Sequence, residues 1–381
     1  MSTFSVRIKR IRAIEPHPNA DAIEFALVDG YRSIVKKGQF QAGQLAVYLP
    51  EAAIVPDSLI RELGLWNDKT NMGKLAGPQG NRITAVALRG ELSQGVLMPI
   101  TRELEIEFSH TFFNFEGARP LQEGDDLAQM LGVTKYVPEI PESMRGDLFF
   151  AGTEVALHFD IEDCKAYPQA LLEGEEVTFT EKLHGTCTVV VVLPRKDAKP
   201  EAFGRHRNVL VSSKGLAAEG LFFQDTPKNR QSNLYVRAVQ ELLEHIDAMD
   251  DFSSEAPLYL LGETFGSEVQ DLHYGTSLEF RLFTAACGYH GAQAYQNFDH
   301  VYEVLAPRFG VSTVPVLYRG PYSEARKAEY TDGPTLVGGG NIREGIVMTP
   351  VIERRIPTLG RVSLKSVSAR YLRRKGGTEF N

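Results

Sequence analysis

The sequence predicts an α+β protein in which a small N-terminal β-barrel precedes a larger mixed α/β domain. Three observations support this. Short alternating apolar runs, roughly ten residues apart and separated by Gly, Asp and Pro, fill the N-terminal part. The alternation is lost between Thr101 and Pro141. Beyond that stretch, apolar strands are interrupted by few helices. We therefore expect the barrel in residues 1–120, a connector in 121–150 and the α/β domain in 151–381.

The barrel is predicted from six apolar runs and one helix. Residues of alternating polarity favour strands with one buried face. The helix is expected at Asp57–Leu65, directly after Pro56. The predicted strands are Phe4–Ile11, Ile23–Val28, Ile34–Val35, Leu45–Tyr48, Ile83–Ala87 and Gly95–Met98.

The connector and the second domain are predicted from weaker patterns. A short helix is expected at Asp125–Leu131, and the Pro138–Pro141 segment (PEIP) is typical of a linker. Leu234–Met249 has helical periodicity. The predicted strands of this domain are Val177–Lys182, Thr186–Leu193, Val209–Lys214, Leu258–Leu261, Phe280–Ala285, Gly345–Thr349 and Arg361–Lys365.

Composition and charge narrow the functional classes. No apolar run approaches the ~20 residues that cross a bilayer, so no membrane partner is expected. Three cysteines without CxxC spacing argue against a disulfide framework or a zinc site. The N-terminus alternates and does not resemble a secretion signal, so we expect a cytoplasmic protein. The net charge of −8 does not favour a nucleic-acid partner, although an acidic protein can carry a local basic groove.

One segment, Glu181–Thr186 (EKLHGT), places a lysine at the corner between two predicted strands. From such a corner Lys182 can point into a cleft, where an amine can act as a covalent nucleophile. A lone K-x-x-G occurs by chance in many chains, and a surface lysine in a hairpin is the competing interpretation. The segment therefore gains weight only from matching segments elsewhere in the chain.

Five further segments lie C-terminal to it, each with a polar residue near the end of an apolar strand. Side chains at strand ends are expected to line a shared cleft. In chain order, the segments are Ser212–Gly215 (SSKG), Tyr259–Glu263 (YLLGE), Phe280–Phe283 (FRLF), Glu344–Val347 (EGIV) and Ser363–Ser366 (SLKS).

Together, the six segments resemble motifs I, Ia, III, IIIa, IV and V of the covalent nucleotidyltransferases, namely DNA ligases, RNA ligases and mRNA capping enzymes. The form K-L-H-G-T, with His184 where the other two groups usually have Asp, is similar to nick-sealing RNA ligases. The lead-in from Asp160 to Thr180 also resembles that group. A barrel that precedes the catalytic domain, and contains PHPNAD and RGELSQGVLMP, resembles the branch with an N-terminal OB domain.

This resemblance implies an ATP-dependent RNA ligase with an OB-like barrel and a ligase-type adenylyltransferase domain. Lys182 would take AMP from ATP, pass it to a 5′-phosphate end, and release it when the neighbouring 3′-OH attacks. The implied partner is a nicked RNA or RNA/DNA duplex, with no obligate protein partner. The implied cation is Mg²⁺ (or Mn²⁺), which neutralises phosphate charge.

The resemblance also assigns residues to the phosphates and the metal. Because a free lysine amine is almost entirely protonated at neutral pH, Lys182 needs an environment that favours the neutral form. Glu344 is expected to bind the metal, and Lys365 the α-phosphate. Lys214, where ligases often have Arg, would contact the phosphate or ribose side of the nucleotide. His184 either contacts phosphates or is a satisfied turn histidine.

A second set of residues is assigned to the nucleoside. Glu263 would accept hydrogen bonds from the ribose hydroxyls. Phe283 would stack on the adenine, with Phe280 as the other choice. Glu181 would help to read the adenine edge, and Gly185 belongs to the same nucleotide-binding turn.

Two departures from the family pattern are present. Motif V commonly has two lysines, but its first position here is Ser363. Motif IIIa often has Asp after the aromatic residue, where this chain has Thr284. More of the phosphate contact is therefore expected to fall on Lys365.

Alternative functions remain open from the sequence. A DNA ligase or a GTP-dependent capping-type enzyme shares the six segments, but neither fits His184 or the short stretch after motif V. The PHPNAD segment and Val28-Asp29-Gly30 also resemble tRNA-binding modules, which would make the protein a nucleic-acid binder with an inactive catalytic domain. Basic residues of the barrel are possible backbone contacts, namely Arg7, Lys9, Arg10, Arg12, Lys36 and Lys37.

Overall fold

The computed structural model describes residues 4–112, 119–249 and 254–374. The chain divides into two compact units. The first comprises Ser2–Val137 together with a short excursion, Cys164–Pro168. The second contains Pro138–Asp163 and Gln169–Asn381. The division between the units falls after Val137, inside the stretch expected to be a connector.

The N-terminal unit is built on a curled antiparallel sheet of five strands. In spatial order these are Val96–Pro99, Leu45–Leu49, Arg7–Pro16, Ile23–Val28 and Tyr31–Lys36. Arg7–Pro16 is long enough to pair with both neighbours, and its register shifts between Ile11 and Ala13. Such a bulge bends a strand, which lets the sheet curl around the apolar side chains of its inner face.

The predicted alternation accounts for this sheet. Ile8 and Ile11 are fully buried, whereas Arg7, Arg10 and Arg12 are exposed. The short strands of the unit pair as Ala53–Ile54 with Thr134–Lys135, Trp66–Asn67 with Met72–Gly73, and Val86–Leu88 with Glu91–Ser93. The helices are Asp57–Glu62 and Arg102–Phe112.

Two local predictions in this unit were wrong, and one helix was not predicted. The Ile83–Ala87 strand is replaced by the Val86–Leu88 strand. Arg102–Phe112, where alternation is lost, is a helix. Asp125–Leu131 forms turns, since its backbone bonds to the first strand: the Ile8 amide donates to the Asp125 carbonyl, and the Leu127 amide to that of Val6. These bonds to the first strand replace intrahelical ones.

The Cys164–Pro168 excursion packs against the sheet of the N-terminal unit. The Gly30 amide donates to the Lys165 carbonyl at 2.8 Å, and Lys165 Nζ donates to Gln94 Oε1. A β-carbon at position 30 would lie 2.7 Å from the Lys165 α-carbon, closer than packing allows. Glycine is therefore required for this contact.

The larger unit contains two five-stranded sheets. The first runs, in spatial order, Glu162–Asp163, Leu364–Val367, Gly345–Pro350, Glu176–Lys182 and Val316–Pro321. The second runs Val209–Ser213, Thr186–Val192, Leu258–Phe265, Glu279–Cys287 and Ala294–Tyr295. Residues 183–185 connect the strand Glu176–Lys182 of the first sheet to Thr186–Val192 of the second, so they bring an end of one strand to an end of the other.

Helices and short strand pairs complete the larger unit. Leu234–Met249 was predicted as one helix but is broken at Val239 into Leu234–Ala238 and Gln240–Ala248. The other helical segments are Glu142–Met144, Thr153–Val155, Arg195–Asp197, Lys214–Ala218, Pro227–Ser232, His300–Leu305, Ala306–Arg308, Glu324–Thr331 and Ala369–Leu372. Two short strand pairs are Leu148–Phe150 with Leu221–Phe223, and Arg355–Ile356 with Gly360–Arg361.

Apolar side chains cover both faces of the second sheet. Val190, Leu260 and Leu282 pack on one face, and Val191 and Tyr259 on the other. A sheet buried on both faces explains the nearly continuous apolar run of its central strands. The α+β class, with a barrel ahead of a mixed domain, is confirmed. In the described part of the chain, no helix is long and apolar enough to cross a bilayer.

Candidate active site

Lys182 lies at the end of a central strand in the first sheet, where the chain turns towards the second. Its strand pairs antiparallel with Gly345–Pro350, and Lys182 is opposite Gly345. This register brings Glu344 beside it, with 2.7 Å between Lys182 Nζ and Glu344 Oε1. The two side chains are 25% and 11% exposed, so the pair is mostly shielded but accessible to a ligand.

The second oxygen of Glu344 is buried and has no hydrogen-bond partner among the described residues. A buried carboxylate oxygen is costly to leave unpaired, so this atom fits a cation or a substrate group. The described residues contain no group of three His, Cys, Asp or Glu side chains that could hold a metal. A Mg²⁺ ion at Glu344 would therefore take its other ligands from nucleotide phosphates and water, as this ion commonly does.

Lys365 lies on the same face of the first sheet as Lys182. Val347 pairs with Thr180 on one side and with Lys365 on the other. Directly paired residues share a face, and so do residues two apart in a strand. Lys182, two residues after Thr180, therefore points to the same side as Lys365, about 12 Å away across two strands and along two residues. Lys365 is partly buried.

Glu263 brings a carboxylate from the second sheet to the same cluster of charges. It pairs with Cys187, five residues after Lys182. Burial raises the pKa of Glu263 to about 8, and the charges of Lys182 and Lys214 oppose that rise. Burial also raises the pKa of the Cys187 thiol, so this thiol stays protonated and is a poor nucleophile.

Lys214 comes directly after the edge strand of the second sheet and lies on the Glu263 side. Ser212 pairs with Val189, which shares a face with Cys187 and hence with Glu263. Lys214 is the first residue of the following helix, and its charge acts to lower the pKa of Glu263, so it lies near that carboxyl. Its Nζ lies 3.3 Å from Asp160 Oδ1, so the lead-in segment contributes a carboxylate here.

The two candidate adenine-stacking residues are three apart in one strand, so they lie on opposite faces, and Phe283 lies at a β-bulge. Leu261 pairs with Thr284 and Gly262 with Leu282, which leaves Phe283 as the extra residue. Phe283 packs on the Glu263 face and stacks on Phe159, with 5.6 Å between ring centroids.

Phe280 lies on the opposite face. It pairs with Thr264 and packs so closely over Gly262 that a β-carbon there would lie 2.4 Å from its ring. The structure therefore places Phe283, rather than Phe280, beside Glu263.

His184 is buried, and protein groups occupy both of its ring nitrogens. Asp271 Oδ1 lies 2.8 Å from Nε2, and the Tyr371 hydroxyl lies 2.7 Å from Nδ1. Burial lowers the pKa of His184, while the charges of Glu344 and Asp271 act in the opposite direction. Arg374 binds Asp271 through two nitrogens, at 2.9 and 3.1 Å. These contacts match the satisfied turn histidine of the two sequence interpretations.

Side chains of the Gly266–Gly275 loop form hydrogen bonds with the 183–185 turn, immediately C-terminal to Lys182. The His184 amide donates to the Tyr274 hydroxyl at 2.7 Å, and Gln270 Nε2 donates to the Gly185 carbonyl. A β-carbon at Gly185 would lie 2.2 Å from the Thr264 carbonyl oxygen, so only glycine fits this turn. Sequence reasoning missed this loop and the Tyr371 and Arg374 contacts, because they lie outside the six segments.

The Glu181 side chain lies on the face of the sheet opposite that of Lys182, since successive side chains in a strand alternate between faces. It is buried, and its two oxygens accept hydrogen bonds from the Thr335 hydroxyl and, at 2.9 Å, from the Leu336 amide. The structure thus does not bring the Glu181 carboxylate to the Lys182–Glu344 side of the strand.

The two departures from the family pattern have local partners. Ser363 is buried, and its hydroxyl lies 3.2 Å from that of Thr349. The Thr284 hydroxyl accepts from Arg361 Nη2 at 3.1 Å, within a shielded Arg361–Glu353 pair. Both positions therefore contribute to packing of the sheets.

Basic residues of the N-terminal sheet are partly neutralised. Lys9 pairs with Asp29 at 2.7 Å, and Arg10 with Glu123 at 3.0 Å. The other four are exposed, namely Arg7, Arg12, Lys36 and Lys37. Since neutralised cations attract phosphate weakly, these four are better candidates for a nucleic-acid contact than Lys9 and Arg10.

Three structures of Naegleria gruberi RNA ligase share this fold. They are a lysine-to-alanine mutant with ATP and Mn, an apo mutant, and a mutant with AMP and Mn. They are 22%, 24% and 23% identical to this chain, with TM-scores of 0.72, 0.72 and 0.71. The alignments cover 97% of this chain and 97–98% of the ligase. No curated protein matches the sequence significantly.

Family comparisons agree with the two-part architecture. An OB-fold domain matches residues 5–100, on the curled sheet. The RNA ligase family matches residues 175–367, just over half of the chain. Because that match spans all six motif segments, from Glu181 to Ser366, this chain belongs to the RNA ligase family.

Proposed function

We propose that the protein is an ATP-dependent RNA ligase that forms a lysyl-AMP intermediate on Lys182 and seals nicks in RNA-containing duplexes. The observation that carries this proposal is the shielded Lys182–Glu344 pair, with the second Glu344 oxygen unpaired among the described residues. The N. gruberi ligase structures that contain ATP or AMP with Mn give independent support for the nucleotide and a divalent cation.

The first step transfers AMP to Lys182. The amine attacks the α-phosphorus, a P–N bond forms, and the bond to pyrophosphate breaks. An ammonium is not a nucleophile, so Lys182 must separate from Glu344 and lose its proton first. A divalent cation held by Glu344 would supply positive charge to the phosphates.

Other side chains of the cleft have roles that suit their positions. Lys365, on the Lys182 face of the first sheet, offsets charge that develops on the α-phosphate. Glu263 accepts hydrogen bonds from the ribose hydroxyls, and Phe283 stacks on the adenine. Lys214 contacts the phosphate or the ribose. His184 acts indirectly, since its ring nitrogens have protein partners.

The two later steps use the same cleft. AMP moves from Lys182 to the 5′-phosphate of a nick, and the 3′-OH then displaces it to form the phosphodiester. The K-L-H-G-T form of motif I and the N-terminal OB-fold domain support a nicked RNA or RNA/DNA duplex as substrate. The free cysteines Cys164, Cys187 and Cys287 suit a reducing, cytoplasmic setting.

The deciding experiment incubates the protein with Mg²⁺ and α-labelled ATP or GTP and then separates it on a denaturing gel. We expect covalent label from ATP in wild type and in Lys196→Ala, a control at an exposed lysine, but none in Lys182→Ala. Label from GTP alone would indicate a capping-type enzyme. A folded, initially AMP-free wild type without label would indicate a nucleic-acid binder with an inactive catalytic domain.

A second assay separates the steps. Lys182→Ala should fail to seal 5′-phosphate nicks with ATP, yet seal nicks that are already adenylylated, because that step no longer needs the nucleophile. Sealing of ordinary nicks by Lys182→Ala at the wild-type rate would refute the lysyl-AMP proposal.

A further inference from the structure

The tautomer of the His184 ring can be deduced from the distances around it. A carboxylate only accepts hydrogen bonds, so the 2.8 Å contact with Asp271 requires the proton on Nε2. Nδ1 then accepts from the Tyr371 hydroxyl at 2.7 Å. The opposite tautomer would set the Nε2 lone pair against Asp271, with Arg374 Nη2, 3.4 Å away, as the donor among the described residues. Asp271 therefore selects the Nε2–H form.

This tautomer has a consequence for Glu344. Its Oε2 atom lies 3.8 Å from His184 Nδ1 and has no hydrogen-bond partner among the described residues. With the proton on Nε2, the imidazole cannot donate to that oxygen. With the proton on Nδ1, the N–H would be shared between Tyr371 and Glu344. It would then compete with the nucleotide and its cation for Glu344 Oε2.

The loop that carries Asp271 has unusual backbone geometry. Glu268, Gln270 and Tyr274 have φ values of 71°, 51° and 52°, in the left-handed region that non-glycine residues rarely adopt. Such outliers persist where the surroundings enforce them, and they concentrate at functional sites. Here they bring Gln270, Asp271 and Tyr274 together onto the 183–185 turn.

We propose that Asp271 is a positioning residue of the ligase, which acts through His184: by fixing the Nε2–H tautomer, it keeps Glu344 Oε2 open for the incoming nucleotide and its cation. The inference rests on the function proposed for Lys182 and Glu344. Groups that hydrogen-bond to a metal's ligands typically contribute about 10- to 100-fold to metal affinity or activity, and we expect an effect of that order from Asp271.

The first test reads the tautomer directly in full-length protein without metal or nucleotide. Long-range ¹H–¹⁵N spectra report the protonated ring nitrogen, and the loss of one signal in His184→Asn assigns it. We expect Nε2–H in wild type and Nδ1–H in Asp271→Ala, where Arg374 can donate to Nε2. A wild-type ring protonated on Nδ1 would overturn the proposal.

The second test measures lysyl-AMP formation over a range of Mg²⁺ concentrations. Asp271→Ala should lose about 10- to 100-fold in rate, with a higher half-saturating Mg²⁺ concentration. Asp271→Asn, which retains an acceptor of the same shape, should lose less. Asp299→Ala is the matched control, since it breaks an exposed Asp–Arg pair with Arg319 in the same unit and should leave the rate unchanged.

A double-mutant cycle separates action through His184 from general destabilisation. In a His184→Asn background, Asp271→Ala should change the rate by no more than about twofold. Losses that multiply would show that Asp271 acts independently and would refute the proposal. If wild type forms lysyl-AMP but Asp271→Ala matches it, this inference alone fails. If wild type forms none, the proposed function fails, while the spectra still report the tautomer.

Discussion

Single side chains in the cleft are held in states that differ from those in water. Glu263 is the clearest case, because burial raises the pKa of its carboxyl from 4.5 to about 8. A carboxyl kept in such a place destabilises the fold once it ionises. Retaining it suits a ligand-binding role better than a packing role.

Stability should therefore depend on the charge of Glu263. The folded protein binds this proton more tightly than the unfolded chain, so the free energy of unfolding falls as pH rises from about 4.5 to about 8. Glu263→Gln cannot ionise and avoids that loss. We expect its melting temperature to exceed that of wild type by about 3 °C or more at pH 8, and by little near pH 5.

Calorimetry at the two pH values checks this expectation. Glu303→Gln, at an exposed position, controls for the loss of a surface carboxylate. A Glu263→Gln variant whose melting temperature is below that of wild type at pH 8 would show that the ionised carboxylate stabilises the fold.

At the level of elements, apolar patterns predicted most strands. They did not predict breaks, turns or bulges within the predicted elements. The central strands of the larger unit were predicted because continuous apolar runs require burial on both faces. The turns of Asp125–Leu131 were missed, because hydrogen bonds to the first strand overrode local periodicity. The break at Val239 was also missed. The bulge at Phe283 is also invisible in sequence, since it depends on the register of a partner strand.

Because Phe283 and Phe280 lie on opposite faces of the sheet, they can be tested against each other. Phe283→Leu should raise the KM for ATP in lysyl-AMP formation by about tenfold, because base–aromatic stacking is worth about 1–3 kcal/mol. Phe280→Leu should leave this KM unchanged and lower the melting temperature, since Phe280 packs over Gly262 in the core. A higher KM for Phe280→Leu alone would reverse the assignment.

The site shows the same limits of sequence reasoning. Lys182, Glu344 and Lys365 were predicted from ordered segments, and strand register places them together. Asp271 and Tyr371 come from a loop and a terminal helix without a motif. Their importance arises only from distances to His184, which no local pattern encodes.

At the scale of the whole molecule, the chain passes between its two units three times: after Val137, after Asp163 and after Pro168. The order of barrel and α/β domain was predictable from alternation. The return of Cys164–Pro168 to the first unit was not, because five residues of mixed polarity carry no periodic signal.

The contact made by this excursion can be tested at Gly30. Gly30→Ala places a β-carbon against Lys165 and should lower the melting temperature of the N-terminal unit by several degrees. Gly215→Ala, where a β-carbon would meet nothing within 4 Å, is the control. Scanning calorimetry distinguishes them, and equal melting temperatures would show that the excursion contributes little to stability.

The excursion also sets an order of events during synthesis. When Val137 leaves the ribosome, the N-terminal unit still lacks the Lys165 carbonyl that the Gly30 amide requires. The missing segment emerges about 30 residues later, or about 2–6 s at typical translation rates. The OB-fold domain therefore completes its fold only after translation of the ligase domain has begun, and the nascent chain exposes an unfinished sheet surface in the interval.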